Sequence, residues 1–146
     1  VGLPAYIKTT GSSGVHILIP LAGQLTHDES RTLAEIIARL VVRSHADIAT
    51  LNRVTSERDG RVYIDYLQNG YGKLMAAPFA VRPLPGAPIS MPIEWREMGS
   101  RLTPQKFTLK NVKRRMSRRD SDPMAPVLST TADIGKAIEQ LLQRAT

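Results

Sequence analysis

Ala5-Tyr6-Ile7-Lys8-Thr9-Thr10-Gly11-Ser12-Ser13-Gly14-Val15-His16-Ile17-Leu18-Ile19 is two apolar runs around a cluster of small residues. Such runs, bounded by Gly and Ser, read as strands, so the spacing predicts strands over Ala5–Lys8 and Val15–Ile19. Side chains alternate along a strand, which puts Val15, Ile17 and Ile19 on an expected core face and His16 on the opposite one, beside Leu18. The turn between them offers hydroxyls and backbone N–H groups suited to an anion-binding nest. It lacks the Gly-Lys-Ser/Thr ending of a P-loop, and a plain Gly/Ser turn has the same composition.

Outward from this hairpin, Thr26 and Glu29 have capping-box spacing, and Leu33, Ile36, Ile37, Leu40 and Val41 recur at the helical period, so a helix is expected to end near Ser44. Arg61–Leu67 and Leu74–Arg82 read as strands, with Asn69-Gly70 as their hairpin signal. Four prolines between Pro83 and Pro92 predict an extended path. Trp95 and Met98 fit a short helical turn. Thr108 opens a basic helix with an apolar seam of Leu109, Val112 and Met116. A loop over Asp122–Pro126 leads to a last helix carrying Ile134, Ile138, Leu141 and Leu142. The expected fold class is α+β: one domain over residues 1–146, with a small, mainly antiparallel sheet and packed helices.

Three strands would each carry one polar residue on the same side of that sheet. Val62, Ile64 and Tyr66 share a face and leave Asp65 opposite. Met75, Ala77, Phe79 and Val81 alternate and leave Arg82 on the other side. His16, Asp65 and Arg82 are thus expected to converge. An acid, an imidazole and a guanidinium suit metal-bound phosphate, the carboxylate holding the cation and the others neutralising phosphate oxygens. The plainer alternative is a hydrogen-bonded histidine beside a surface Asp–Arg pair.

Composition narrows the partners. The 146 residues carry a net charge of +7 and a pI near 10.1, which favours polyanions. There are no cysteines, which excludes disulfides, thiolate zinc sites and cysteine nucleophiles, and fits a reducing compartment. The longest apolar run, Ile36–Val42, is interrupted by Arg39 and is too short for a membrane span. Val1-Gly2-Leu3-Pro4 lacks the build of a signal peptide. Lys106, Lys110, Lys113, Arg114, Arg115, Arg118 and Arg119 form a stretch without an acidic residue. Lys106, Lys110, Lys113 and Arg114 share a helix side opposite the seam, a stripe able to follow a phosphate backbone but not to read bases. A solvated polar face is the alternative.

Lys8 to Leu21, with its Lys-Thr-Thr-Gly-Ser-Ser-Gly-Val-His core, resembles the Lys-Thr-Ser-Gly-Gly-Lys-Gly-x-His segment of the polymerase domains of bacterial ligase D proteins, members of the archaeo-eukaryotic primase superfamily. Arg61–Asn69 is similar to the family's strand bearing its third metal-binding Asp. Lys73–Arg82, Ala87-Pro88-Ile89-Ser90-Met91-Pro92, Trp95, Phe107–Val112 and Asp122-Pro123 follow the family's order. The resemblance implies an RRM-like C-terminal half of a primase-polymerase domain that adds nucleotides to DNA ends in non-homologous end joining. It implies Asp65 as metal ligand and catalytic residue for manganese or magnesium. It also implies Thr10, Ser13, His16, Lys73 and Arg82 at the nucleoside triphosphate, with Lys106, Lys110, Lys113 and Arg114 expected at the DNA. Implied partners are DNA ends, a nucleoside triphosphate, the missing N-terminal half, a ligase domain or a Ku-type end-binding protein, in the bacterial cytoplasm or nucleoid. No membrane is implied.

The chain departs from the pattern in places. Ser13 stands for the family's Lys, and Leu74 and Met75 stand for two Thr. The family's Asp-x-Asp strand lies upstream of the segment matched here, so two-metal transfer would be left incomplete. Rival readings are a non-catalytic nucleotide- or DNA-binding remnant and one half of a split polymerase. Asp120-Ser121-Asp122 lies where the family shows a turn, and a helix-stopping turn is expected of it.

Overall fold

The computed structural model describes residues 1–145 and divides into two compact units, each with its own packing. One comprises residues 3–22 and 76–132. The other comprises residues 1–2, 23–75 and the C-terminal stretch from Asp133.

The first unit is built on the expected hairpin. Strands β1 (Tyr6–Thr9) and β2 (Val15–Leu18) pair antiparallel, with Lys8 opposite His16 and Thr9 opposite Val15. A strand absent from the sequence reading, β5 (Pro92–Ile93), pairs antiparallel with the far side of β1, giving the order β2-β1-β5. Pro92 lacks an N–H, and an edge strand tolerates that. Ile7, Ile89, Met91, Ile93 and Phe107 form the buried core, with Val15, Phe79, Leu102 and Val112 packed against it.

The expected strand over Leu74–Arg82 does not form. Phe79 adopts positive φ, which interrupts extended backbone, and only Val81 bridges to Ile89. The 79–82 backbone still pairs locally with 88–90, through Phe79 N–H to Ser90 O (2.7 Å) and Arg82 N–H to Pro88 O (2.8 Å). Ile17, expected in the core, is 56% exposed, because β2 is an edge strand.

Helix α2 (Leu109–Met116) follows Thr108, whose side chain and Asn111 cap it reciprocally. Its expected seam is also corrected. Leu109 is 55% exposed and Met116 is exposed as well, leaving Val112 to reach the core. Arg115 completes the inward side, its guanidinium 4.2 Å above the Phe107 ring and 2.8 Å from Glu97. Asp122 Oδ1 accepts the Met124 N–H (2.9 Å), so the Asp-x-Asp stretch ends in a side-chain-capped turn, as expected of a loop.

In the second unit, α1 (His27–Ser44) starts at Thr26 with both capping-box bonds formed. It packs on α3 (Ile134–Ala145) and on a 3-10 turn over Leu67–Asn69. Leu33 and Ala38 of α1 and Ile134, Ala137 and Leu141 of α3 are buried, while Leu142, expected on that face, is exposed. Strands β3 (Ala49–Thr50) and β4 (Val62–Tyr63) pair parallel in a separate two-stranded sheet. The Asn69-Gly70 hairpin does not form. A two-residue type I′ turn needs positive φ at both positions, whereas Gly70 has φ −72° and the Asn69 amide donates to Tyr66 O (2.8 Å). No helix among the described residues is long and apolar enough to cross a membrane.

Candidate functional site

Residues directly opposite in an antiparallel pair share a face, so the register that pairs Lys8 with His16 brings their side chains together. Lys8 is entirely buried, at 0% exposure. Its ammonium lies 2.7 Å from three groups: His16 Nδ1, Ser90 Oγ and the Ala76 carbonyl oxygen. The Ser90 hydroxyl in turn donates to Thr9 O (3.0 Å). Burying an unsatisfied ammonium is costly, and these partners match its three N–H bonds. Burial, together with the nearby Arg82 charge, still lowers its pKa to about 8.

The turn beside this cluster is closed by Thr10. Its Oγ1 accepts the N–H groups of Ser12 (3.0 Å) and Gly14 (3.1 Å), and its N–H donates to Gly14 O (2.8 Å). Two donors of the expected nest are therefore spent inside the turn, and the Thr10 hydroxyl keeps one proton to donate. Ser13 is exposed at the tip. Gly11, at φ +69°, has no room for a side chain. A Cβ there would lie 2.8 Å from Arg82 Cγ and 3.0 Å from the Ile89 backbone carbon. Arg82 is thus laid across Gly11. Among the described residues no hydrogen bond or ion pair holds its guanidinium. Two like charges, Lys8 and Arg82, are in this way gathered beside one small-residue turn, an arrangement that an anion stabilises.

Asp65 and Lys73 belong to the other unit. The single sheet expected to carry His16, Asp65 and Arg82 does not exist. His16 is on β2, Arg82 follows an isolated bridge, and Asp65 lies two residues beyond β4. The reason is local: β4 pairs with β3, and the chain then coils into the 3-10 turn. Asp65 is exposed, and its Oδ1 accepts the Leu67 N–H (3.1 Å) and the Tyr63 hydroxyl (3.3 Å). Burial, with help from Asp65, raises the Tyr63 pKa. Among the described residues no three His, Asp or Glu side chains cluster as a metal cage. Lys73 is exposed.

On α2 and just before it, Lys106, Lys110, Lys113 and Arg114 are all exposed. Arg115 and Arg119, part of the same basic run, are instead turned inward. Arg115 pairs with Glu97, and Arg119 pairs with Glu97 and with Glu94 (3.2 Å). Burial pushes the Glu97 pKa up, but hydrogen bonds from Arg115, the Glu94 backbone and Arg119 outweigh it and hold the carboxyl at about 2. These residues border an open cleft of about 690 Å³ whose lining includes Arg96, Lys106, Arg114 and Arg118.

Lys8 and Ser90 were the residues that sequence reasoning left without a role. The signal for Lys8 was the hairpin register, since once Thr9 and Val15 close the turn Lys8 must face His16, whereas Ser90 reaches it only through a long-range contact.

A family model described as the primase-polymerase domain of LigD matches residues 1–124. The chain is 31% identical over 112 residues to the bifunctional non-homologous end joining protein LigD of Bacillus subtilis, covering 76% of this chain and 18% of that one. It is 29% identical over 145 residues to the multifunctional non-homologous end joining protein LigD of Pseudomonas aeruginosa, covering 99% and 17%. The chain thus spans less than a fifth of the length of these relatives. Among solved structures it is similar to the polymerase domain from Mycobacterium tuberculosis ligase D in complex with DNA. That match has a TM-score of 0.78 and 25% identity, over 90% of this chain and 45% of that one.

Proposed function

Because this chain belongs to the LigD primase-polymerase domain family, we propose that it contributes the triphosphate-binding part of a nucleotidyl-transferring, end-joining polymerase. The observation that carries this reading is the pair of like charges, Lys8 and Arg82, set with His16 around the Thr10–Gly14 turn. The Arg82 guanidinium would neutralise phosphate oxygens, and His16 and the Thr10 hydroxyl would donate hydrogen bonds to them.

Asp65 is a hard oxygen donor of the kind that manganese and magnesium take, and it would supply one ligand of the metal set. Such an ion would neutralise the charge that develops on the transferring phosphate. The reading further assigns Ser13 and Lys73, both exposed, to phosphate oxygens. The exposed cations Lys106, Lys110, Lys113 and Arg114 would follow a DNA backbone. The likeness to a ligase D polymerase domain in complex with DNA supports this. A ligase domain, a Ku-type protein and the remainder of the polymerase module are the partners this reading implies in the whole protein.

Titration of the chain with a nucleoside triphosphate and manganese tests the reading. Arg82→Ala should weaken binding roughly ten- to a hundredfold, as expected for loss of a charge-assisted contact of about 1.5–3 kcal/mol. Superimposable wild-type and Arg82→Ala curves would remove Arg82 from the site.

A further inference from the structure

The partners of the Lys8 amine decide where its protons go. The Ala76 carbonyl can only accept, and Ser90 Oγ, whose own proton goes to Thr9 O, accepts as well. The third partner is His16 Nδ1, at 2.7 Å. An ammonium has three protons for these three neighbours. With its pKa lowered only to about 8, the amine keeps all three protons at pH 7, one for each neighbour. Nδ1 therefore accepts, and the proton of the neutral ring must sit on the other nitrogen.

We propose that Lys8 is the positioning residue of His16. By filling Nδ1 it holds the ring proton on Nε2, so that His16 meets a phosphoryl oxygen as a hydrogen-bond donor. The ligand in this statement rests on the triphosphate reading above, whereas the tautomer rests only on hydrogen bonds within one unit. The role is separate from charge neutralisation, because the ammonium is fully buried and its three donors point at protein atoms. The same lysine ties β1 to the 76–90 segment, so the ring orientation is referenced to the backbone that carries Arg82. The titratable group bonded to the amine is His16, and the charge that acts on it is Arg82.

Histidine-selective ¹⁵N labelling tests the tautomer directly. His27 and His45 are exposed and belong to the other unit, so a His27→Gln, His45→Gln background leaves one imidazole. At pH 7 its spectrum should show a protonated Nε2 and an unprotonated, hydrogen-bonded Nδ1. Lys8→Met should release this signature into a mixture of tautomers, and Lys8→Arg, which keeps a donor, should restore at least part of it. A proton on Nδ1 in the parent chain, or a Lys8→Met spectrum unchanged from the parent, would overturn the proposal. If Lys8→Met does not fold, the parent spectrum alone decides.

Magnesium ATP supplies the second readout. Lys8→Met and His16→Ala should each weaken its binding, and the double variant should lose no more than the worse single one, as for residues acting through one contact. Additive losses would mean that Lys8 acts on the nucleotide by another route. A parent chain that binds no ATP would defeat the triphosphate reading, while the ring spectrum would still decide the role of Lys8.

Discussion

Two groups of cations in one compact unit are put to different uses. Lys8 is buried and Arg82 half-buried, each placed by backbone geometry. Lys106, Lys110, Lys113 and Arg114 stand in solvent on and beside α2. Buried charge is expensive unless every donor finds an acceptor, so Lys8 has fixed partners and in turn fixes its neighbour. Exposed charge costs little and needs no fixed partner, so it contributes through the counterions it displaces from a polyanion. The first arrangement suits a small, oriented ligand, the second a long and sequence-independent one.

The largest expected effect breaks the comparison on its exposed side. Replacing Lys110, Lys113 and Arg114 by Gln should flatten the log–log salt dependence of duplex DNA binding by about 2–3 units, which is roughly a hundredfold in affinity near physiological salt. Random and defined duplexes should weaken alike, because phosphate contacts carry no base information. The fold should be unaffected, since α2 is seated by Val112, Arg115 and the Arg119 ion pairs. Fluorescence anisotropy across a salt series is the check. An unchanged slope would show that this face is only solvated.

Gly11→Ala acts next, on the buried side. It combines a positive φ with a Cβ driven against Arg82 Cγ and the Ile89 backbone. The cost should be about 1–3 kcal/mol of stability, and the displaced Arg82 should bind triphosphate more weakly. Denaturant unfolding and nucleotide titration would separate the two losses. Gly14→Ala, with open space at its Cβ, is the control.

The smallest effects are the two pH limbs, which sharpen the contrast between a paired carboxylate and a buried ammonium. The Glu97 carboxyl is held at about 2, below its ordinary 4.5. The unfolded chain therefore binds more protons between these values, and stability present above about pH 4.5 should be lost as pH falls toward 2. Glu97→Gln should remove most of that limb. Lys8 works in the opposite region. Its pKa is lowered from 10.5 to about 8, so the unfolded chain again binds more protons between them, and Lys8 contributes rising stability from pH 8 to 10.5. Urea titrations at several pH values should show this rise in wild type and not in Lys8→Met.

The β1–β2 hairpin, the α1 capping box and the basic helix after Thr108 were legible because each rests on neighbours in the chain. A small-residue turn between apolar runs, Thr26 followed three residues later by Glu29, and an uninterrupted cationic stretch carry their own signals. The membership in the ligase D polymerase family was legible for the same reason, since motifs in order along the chain survive without tertiary knowledge. Leu109 and Met116 misled, because helical periodicity marks a face without saying what covers it. Asn69-Gly70 misled because a turn signal is a permission, and the 3-10 turn over Leu67–Asn69, packed on α1, took the backbone instead.

By itself, then, the sequence determined the α+β class, a hairpin over the Gly/Ser turn and the cationic character of α2, while the register that sets His16 opposite Lys8 came from the structure. The first three depend on period, spacing and charge within short stretches of chain. Only the tertiary structure decided that β5 and the 76–90 segment cover Lys8, that Arg115 and Arg119 turn inward to Glu94 and Glu97, and that Arg82 crosses Gly11. Those pairings join residues tens of positions apart. The free energy that selects them comes from burying a charge only where its partners already wait, a condition that no local pattern records.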